Sequence, residues 1–596
     1  MNVIVFLLIS LLLHAIPIPF SAEMVKPNKL LKWLPFRLIW GTVAWVVICL
    51  FLVSPLPWAV LALGISFALL LVFSSIRRSG RGLEQALEGI KIPFTCFGII
   101  LLILLPTFSG IISWTSDVAN AEFFDSVIIE TDQPLFNTTI PDDRVRLVTE
   151  EFAKYVAGQR LSIFGSNVLV SAAHITTTPN GTLVWVCTIV STNVLAENYV
   201  KGFIVVDAND PQSVEPYVIN NTTIPVGEGL FWDKDIRFGN YLNDMTSSYQ
   251  YAYPTWDPSG NLVYVQTRTP LGWDFVERAS GPIVYAENGT VFRYASIEET
   301  PDWITQAYGE EYLERQISRW GGYRRGDGFD LFAGGLLWFI KPSPDRLEIH
   351  EDTRYIVNPD TNRVEAFIAV NPISADRTLA GVFRATKDAV YYHDLSQYGY
   401  QSGDAAAANV IAGLGQPTSG TYYGAMPLLY PVVINSTLTK WTWYAPIYWA
   451  DFYYNEDAEE YTANNMRLHA LAMVDATNTD RFVWEELLGE LSGEELVYAV
   501  RSKYVELFGG TLEPEPSDTF NLTATVTSKT SYVDGGDTHI VLGTDNATYP
   551  FIEGARDWMN LTDWYTLLTD LDVTDSFTAT IQKVGDMFRI IALVKN

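Results

Sequence analysis

Residues 92–114 decide how this chain is built, and they read IPFTCFGIILLILLPTFSGIISW. The run has no charged side chain, and its length is close to the roughly 20 residues that a helix needs to cross a bilayer. Three further apolar runs precede it, at Asn2–Phe20, Leu38–Val53 and Pro57–Phe73. The pattern predicts a membrane domain of four transmembrane helices within residues 1–115.

Basic residues between the runs predict the orientation of this domain. The turn between the second and third runs carries no charge. The loops after the first and third runs contain Lys26, Lys29, Lys32, Arg37, Arg77, Arg78, Arg81 and Lys91. Because loops rich in Lys and Arg stay in the cytoplasm, we expect a multi-pass protein of the cell membrane. Its N-terminus and its large C-terminal domain then lie outside, and the lipid bilayer is one partner.

Two alternatives concern the apolar runs. The first run could be a signal peptide that is cut near Ala22, but such a peptide begins with basic residues, and Met1-Asn2-Val3 has none. Transport would require ionisable groups within the bilayer, and His14 is the only such residue inside a predicted span. We therefore favour a retained first helix and an anchor rather than a transporter.

The charge of the chain is divided between the membrane part and the rest. The 596 residues include 39 Lys+Arg and 68 Asp+Glu, which gives a net charge of -29. Eight basic and three acidic residues lie in 1–115, so the remainder has a net charge of -34. A surface this acidic is unsuited to nucleic acid, which attracts basic proteins. Three cysteines exclude a disulfide framework.

Helical and strand patterns alternate beyond the membrane part. Apolar residues at helical spacing predict helices at Asp142–Gly158, Pro301–Trp320, Ser402–Leu414 and Ser492–Phe508, the last with a Ser492/Glu495 capping box. Short turns rich in Asp, Asn, Pro and Gly separate strand-like runs and predict β-hairpins. These turns lie at Asp207–Pro211, Asp257–Asn261, Asn288–Gly289, Asn358–Asn362 and Asp475–Thr479.

These patterns predict a four-helix transmembrane region, a multi-module α+β ectodomain and a small C-terminal β-barrel. The predicted divisions are a membrane domain at 1–115, a first α+β module at 116–230, a β-rich α+β region of one or two modules at 231–510, a Pro/Glu linker at 511–517 and the barrel at 518–596.

Part of the ectodomain resembles PepSY or cystatin-like modules of cell-surface and secreted proteins. The residues that carry this resemblance are the helix Asp142–Gly158 and the turn Val206–Pro211. It extends over Asp142–Ile219 and, less clearly, over Trp443–Phe508. The resemblance implies protein-binding or inhibitory modules rather than a catalytic fold.

The last 80 residues resemble an OB-fold barrel. Three strand-like runs, a helix at Ala555–Leu568 and two further strands follow one another in the order of that fold. An OB face usually binds oligonucleotides or sugars. Here five basic residues stand against eleven acidic ones, so we favour a structural cap or a protein contact.

Sequons for N-glycosylation occur only beyond the membrane part, as expected of an exterior surface. They begin at Asn137, Asn180, Asn220, Asn221, Asn288, Asn435, Asn521, Asn546 and Asn560. Their distribution predicts a glycoprotein where the host glycosylates.

The clearest candidate for a binding surface is an aromatic and acidic stretch. Its members are Trp441, Trp443, Tyr448, Trp449 and Asp451. Aromatic faces stack on sugar rings, and a carboxylate pair hydrolyses glycosides when its separation is right. The more ordinary interpretation is a sheet core beside an acidic loop, and we favour it. No P-loop, HExxH, CxxC or GxSxG motif is present, and we assign no catalytic, cofactor-binding or metal-binding residue.

The sequence thus favours a membrane-anchored extracytoplasmic surface protein that binds or organises a protein or envelope partner. A cell-envelope enzyme acting on glycans is the alternative.

Overall fold

The structure is a computed structural model. It describes residues 1–15, 27–78, 92–131, 133–212, 216–220, 222–335, 338–349, 353–375, 377–455, 460–487, 491–511, 519–534, 537–546, 549–556, 564–584 and 587–595. The predicted linker lies outside the described residues except for its first residue.

The α-helices of the described residues begin and end as follows. They are α1 (Val3–Ala15), α2 (Pro27–Trp45), α3 (Leu56–Arg78), α4 (Ile92–Val127), α5 (Glu150–Gln159), α6 (Ile236–Asn243), α7 (Glu310–Gly322), α8 (Gly403–Leu414) and α9 (Gly493–Leu507). A π-helical turn, Val46–Phe51, continues α2.

The prediction of four transmembrane helices is wrong. Among the described residues, two stretches are both long and apolar enough to cross a membrane, Leu34–Phe51 and Phe97–Val127. The helix α1 has 13 residues and the apolar part of α3 is Leu56–Val72, and both are shorter than a span. At 1.5 Å per residue they measure about 20 and 25 Å, against about 30 Å of hydrocarbon. The first stretch lies near the N-terminus, where signal sequences also occur.

The apolar helices pack in antiparallel pairs. The hydroxyl of Ser10 on α1 donates to the carbonyl of Gly41 on α2 (2.9 Å). Gly98 on α4 lies against Leu71 and Val72 near the end of α3, and Gly64 faces Leu105. In the second stretch only 6% of the apolar window is buried inside the protein, so most of α4 is uncovered.

The strands carry most of the remaining chain. In chain order they are β1 (Ile128–Thr131), β2 (Val168–Thr177), β3 (Leu183–Ser191), β4 (Val200–Asp207), β5 (Tyr217–Asn220), β6 (Ser247–Ser248), β7 (Ala252–Trp256), β8 (Leu262–Pro270), β9 (Ser280–Ala286), β10 (Val291–Arg293), β11 (Arg324–Arg325), β12 (Gly328–Phe329), β13 (Leu347–Ile349), β14 (Arg354–Asn358), β15 (Arg363–Pro372), β16 (Gly381–Ala385), β17 (Val390–Asp394), β18 (Thr421–Gly424), β19 (Leu428–Asn435), β20 (Leu438–Asn455), β21 (Glu460–Asp475), β22 (Phe482–Glu486), β23 (Thr519–Asp534), β24 (Asp537–Thr544), β25 (Phe551–Ala555), β26 (Ser576–Val584) and β27 (Met587–Lys595).

Neighbouring strands in sequence mostly pair as antiparallel hairpins. The sheets have the orders β2-β3-β4-β5, β10-β9-β8-β6 with β7 on β8, β1-β17-β16-β15-β13 with β14 on β15, and β18-β20-β21-β22 with β19 on β20. β11 and β12 form a small two-stranded ribbon. The predicted hairpins are confirmed, including β14–β15, where Asn358 pairs with Arg363.

The membrane part leads directly into these sheets. α4 ends at Val127, and the next residues form β1, which pairs in parallel with β17 from Ile128 and Val390 onward. The ends of the other apolar helices also contact the β-rich part. The amide of Leu56 donates to the carbonyl of Met245 (2.7 Å), and the hydroxyl of Tyr241 donates to the carbonyl of Ser54 (3.0 Å).

Two predicted helices begin later than expected. The prediction started the first at Asp142, but Asp142–Arg144 is a 3-10 turn and α5 begins after Thr149, whose hydroxyl accepts from the amide of Phe152. The amides of Leu147 and Val148 both donate to the carbonyl of Ala208, which holds this segment extended. Tertiary hydrogen bonds thus override the helical pattern.

The second late start is α7, which the prediction began at Pro301. The side chain of Gln306 donates to the carbonyl of Ile175 (2.6 Å), and its amide donates to the hydroxyl of Tyr253 (3.3 Å). These contacts hold Gln306 outside the helix. The helix begins at Glu310, after an extended Gly309.

Residues Gly509–Asn596 form a second compact unit. Its strands close a barrel in the order β23-β24-β25-β27-β26, with β23 also paired to β26. The core contains Leu522, Leu542, Trp564, Phe577 and Ile590. Five of the predicted strands are thereby found, and of the predicted helix the described part is a short segment that ends in the π-helical turn Thr566–Asp570.

Candidate functional site

Two helices begin at the same cavity of the β-rich part. α5 opens with Glu150 and Glu151, and α7 opens with Glu310 and Glu311. All four side chains line a cavity of about 270 Å³, which we call the carboxylate cavity. Acidic side chains in a first helical turn stabilise the helix dipole, but two such pairs that meet in one cavity also concentrate negative charge there.

An aromatic wall faces these glutamates. The rings of Tyr251 and Tyr355 stack at 6.3 Å between centroids, and the ring of His174 meets Tyr251 edge-on at 5.4 Å. The hydroxyl of Tyr251 donates to Gln306 (2.7 Å). The hydroxyl of Tyr355 is buried, and its contacts with the hydroxyl of Tyr251 and the carboxyl of Glu310 fall short of a full hydrogen bond. Both tyrosines line the cavity.

Glu228 stands behind the cavity and gathers three donors. Its carboxylate accepts from His174 Nε2 (2.6 Å) and from the hydroxyl of Tyr264 (2.6 Å), and it pairs with Arg237. Burial alone would raise the pKa of Glu228, but His174, Arg237 and Tyr264 outweigh it and lower the pKa to about 2. Glu228 therefore holds the cavity walls together as a fixed anion.

Glu310 has the opposite electrostatic environment. Burial raises its pKa to about 8, and the neighbouring carboxylates of Glu314, Glu311 and Glu150 add to the increase. Like charges close together disfavour ionisation. Glu310 is thus protonated at neutral pH, and a cation placed beside it would draw its proton off.

Arg146 forms part of another wall. Its guanidinium donates to the carbonyls of Tyr355 (3.1 Å) and Met426 (3.4 Å). Burial and the nearby Arg354 lower the pKa of Arg146 to about 10, so it is still charged at neutral pH. The lining includes four glutamates against Arg146 and Arg237. Glu310 is protonated, Lys154 pairs with Glu150, and Glu228 neutralises Arg237, so two glutamates stand against Arg146. The remaining balance favours a cationic ligand.

The aromatic and acidic stretch predicted from the sequence does not form one surface. Trp443 and Tyr448 are fully buried in the core. The hydroxyl of Tyr448 donates to the carbonyl of Leu147 (2.6 Å), and the Trp443 indole donates to the carbonyl of Gln401 (2.9 Å). The other three predicted members lie on the same strand: Trp441 and Trp449 are half-buried, and Asp451 is exposed.

Most described sequon asparagines are at the surface. Asn137, Asn180, Asn220, Asn288 and Asn435 are exposed, and Asn546 is half-buried. Asn137 donates to the carboxylate of Asp360 (3.2 Å), so its side chain is tied to a neighbouring turn. Asn221, Asn560 and the side chain of Asn521 lie outside what the structure describes. Glycosylation stays a prediction.

Sequence reasoning missed the carboxylate cavity. It assigned no site role to His174, to Glu228 or to the glutamate pairs. One signal was available, because Glu150-Glu151-Phe152 and Glu310-Glu311-Tyr312 repeat the same acidic-acidic-aromatic order at helix starts. That signal gives no hint that the two starts meet.

In the part of the chain that the structure describes, no group of three or more His, Cys, Asp or Glu side chains is placed to hold a metal ion. Cys187 is fully buried, and burial raises the pKa of its thiol to about 12, as expected of an unreactive core residue. No protein-family model matches this chain, and no curated protein matches its sequence.

Proposed function

We propose that this protein is a membrane-anchored surface protein whose ectodomain binds a partner through the carboxylate cavity. The partner presents a basic group, an arginine or lysine side chain. The observation that carries the proposal is Glu311, which lines the cavity with three other glutamates and whose Oε2 is buried without a hydrogen-bond partner among the described residues.

The anchor is supported by the uncovered α4. Only 6% of the apolar stretch of α4 is buried inside the protein. Such a helix requires an apolar surrounding, because its surface is costly to expose to water. The helix ends near Ser54 and Trp58 contact the β-rich part. The basic residues Arg77, Arg78, Arg81 and Lys91 precede α4 in the sequence, and the β-rich part follows it. The positive-inside rule then favours a β-rich part outside the cytoplasm.

A basic partner is supported by the charge of the cavity and by its aromatic wall. A guanidinium can donate to several carboxylate oxygens at once, and its flat face stacks on tyrosine rings. The cavity volume of about 270 Å³ suits a side chain rather than a large cofactor.

An enzyme acting on glycans was the alternative, and no described feature favours it. The aromatic stretch that would line a sugar groove has two of its rings in the core. Glu228 is ionised, but its carboxylate is already occupied by three donors and cannot serve as a base without losing them.

The proposal is tested by titration calorimetry, in which N-acetyl-arginine amide is added to the full chain in detergent. The uncharged isostere N-acetyl-citrulline amide is the matched control ligand. We expect the arginine probe to bind and the citrulline probe to bind at least tenfold more weakly. The double substitution Glu310→Gln and Glu311→Gln should weaken arginine binding about tenfold, whereas Glu506→Gln on the exposed face of α9 should leave it unchanged. Equal binding of both probes, or equal binding by the double variant, would contradict the proposal.

A further inference from the structure

Exposed aromatic side chains gather where the β-rich part meets the apolar helices. They are Phe231, Trp232, Trp273, Trp338 and Phe339, joined by the aliphatic Ile340, with exposed fractions between 43% and 66%, and we call this group the aromatic rim. They belong to three separate loops, before α6, between β8 and β9, and between β12 and β13. Large apolar side chains this exposed mark an interaction surface when they cluster.

The loop between β8 and β9 is fixed to the membrane helices. The ring of Phe275 meets Trp58 at the start of α3, with 4.7 Å between centroids. The buried side chain of Asn120 on α4 donates to the carbonyl of Phe275 and accepts from the amide of Glu277, both at 2.9 Å. Trp273 projects from the same loop and is 66% exposed.

The loop after β12 meets α4 nearby. The ring of Phe332 meets Trp114 edge-on at 5.8 Å. The contacts between α3 and α4 place Trp58 about level with Ile112, so Trp58 and Trp114 mark nearly the same depth. From Phe97 to Trp114 the helix rises roughly 26 Å, which is close to the thickness of the hydrocarbon core. The loops therefore meet the helices where the apolar layer ends.

The third loop reaches the same end through α6. Trp232 packs edge-on against Phe238 at 5.4 Å, and Phe238 stacks on Tyr241, which bonds to Ser54. Trp232 has a φ of 59° and Phe275 has a φ of 60°. Bulky residues rarely adopt this left-handed backbone, and such strain persists where function requires it.

We propose that the aromatic rim inserts into the headgroup region of the outer leaflet, so that the ectodomain rests on the membrane surface. The inference rests on the membrane anchor proposed above. Tryptophan and phenylalanine are favoured at this depth because their rings are apolar while the indole can still hydrogen-bond. A protein partner would not explain why two of the loops contact the apolar helices at one level and the third is joined to the same end through α6.

The consequence for the ectodomain is a fixed height and tilt. Three loops define a plane, and α4 passes through it, so the domain cannot swing freely on its anchor. The carboxylate cavity would then be presented at a set distance from the bilayer.

Photo-crosslinking of the full chain in nanodiscs of phosphatidylcholine and phosphatidylglycerol tests the inference. Benzoylphenylalanine replaces Phe339 in the rim, Ile103 on the uncovered face of α4, or Tyr398, and lipid adducts are counted by mass spectrometry. Tyr398 is 47% exposed and follows β17. This strand runs parallel to β1, which continues from α4, so its far end lies roughly 30 Å from Trp114. All three sites are exposed, so replacement should not disturb folding.

We expect lipid adducts at positions 339 and 103, and at least tenfold fewer at position 398. Adducts at 103 with none at 339 would overturn the rim while the anchor stands. Absence of adducts at both positions would overturn the anchor and, with it, the rim. Equal adducts at 339 and 398 would also overturn the rim, because contact would then not depend on depth.

Discussion

Glu310 lines the carboxylate cavity and Glu228 lies behind its wall, bound to the lining residue His174, and the chemistry of the two carboxyl groups is opposite. Both are largely removed from water, and burial by itself would keep either one protonated. Glu228 has His174, Arg237 and Tyr264 around it, so its pKa falls to about 2. Glu310 has other carboxylates around it, so its pKa rises to about 8. The neighbours, rather than the depth of burial, decide which carboxylate is a fixed part of the fold and which can respond to a ligand.

The largest expected effect on stability comes from replacing Glu228. Glu228→Gln removes the negative charge that Arg237 and His174 share and leaves their donors poorly paired. Loss of one partner from a buried ion pair costs about 3 to 5 kcal/mol. For a unit of this size we expect the melting temperature to fall by about 4 °C, measured by tryptophan fluorescence of the full chain in detergent. Glu506→Gln is the control, and an unchanged melting temperature for Glu228→Gln would show that the network does not support the fold.

Replacing Glu310 should change the stability in the opposite direction. A carboxyl whose folded pKa is about 8, against an unfolded value of 4.5, destabilises the folded state as pH rises between these two values. Glu310→Gln mimics the protonated acid and removes this cost, which is about 3 kcal/mol at pH 7. We expect the variant to melt about 3 °C higher than the parent at pH 7 and at the same temperature at pH 4. A variant that is less stable than the parent at pH 7 would mean that Glu310 is ionised in the folded protein.

A smaller effect on stability is expected from removing the hydroxyl of either stacked tyrosine, and the two variants should differ. Tyr251→Phe removes a hydroxyl that donates to Gln306, and we expect a loss of about 1 kcal/mol. Tyr355→Phe removes a hydroxyl whose contacts with Tyr251 and Glu310 fall short of a full hydrogen bond, so we expect a smaller loss, about 0.5 kcal/mol. The arginine probe should nevertheless bind more weakly to Tyr355→Phe than to Tyr251→Phe. Melting temperatures and probe affinities of the pair check this, and the reverse order in either quantity would contradict it.

The importance of neighbouring groups also explains how far the fold and the candidate site could be predicted from the sequence. Local signals were sufficient for the hairpins, since Asn358-Pro359-Asp360 and similar turns lie between strands that pair directly. The capping box of Ser492 and Glu495 is also found as predicted. These features depend on residues within a few positions of one another.

Features that depend on distant residues were missed or misplaced. The starts of α5 and α7 were set too early because Ala208 and Ile175, far along the chain, hold the preceding residues extended. The carboxylate cavity joins α5, β2, α6, α7 and β14, which are separated by up to about 200 residues, and no local pattern encodes that meeting. The number of membrane-spanning helices was overestimated because composition shows where apolar residues lie but not where each helix ends.

Proton release on ligand binding tests the central claim most directly. The titration with N-acetyl-arginine amide is repeated at pH 7 in two buffers with different ionisation enthalpies, and the difference in heat gives the number of protons released. If a guanidinium enters the cavity beside a protonated Glu310, close to one proton should be released at pH 7, and none at pH 9 or from Glu310→Gln. Binding without proton release at pH 7, or equal release from Glu310→Gln, would contradict the account.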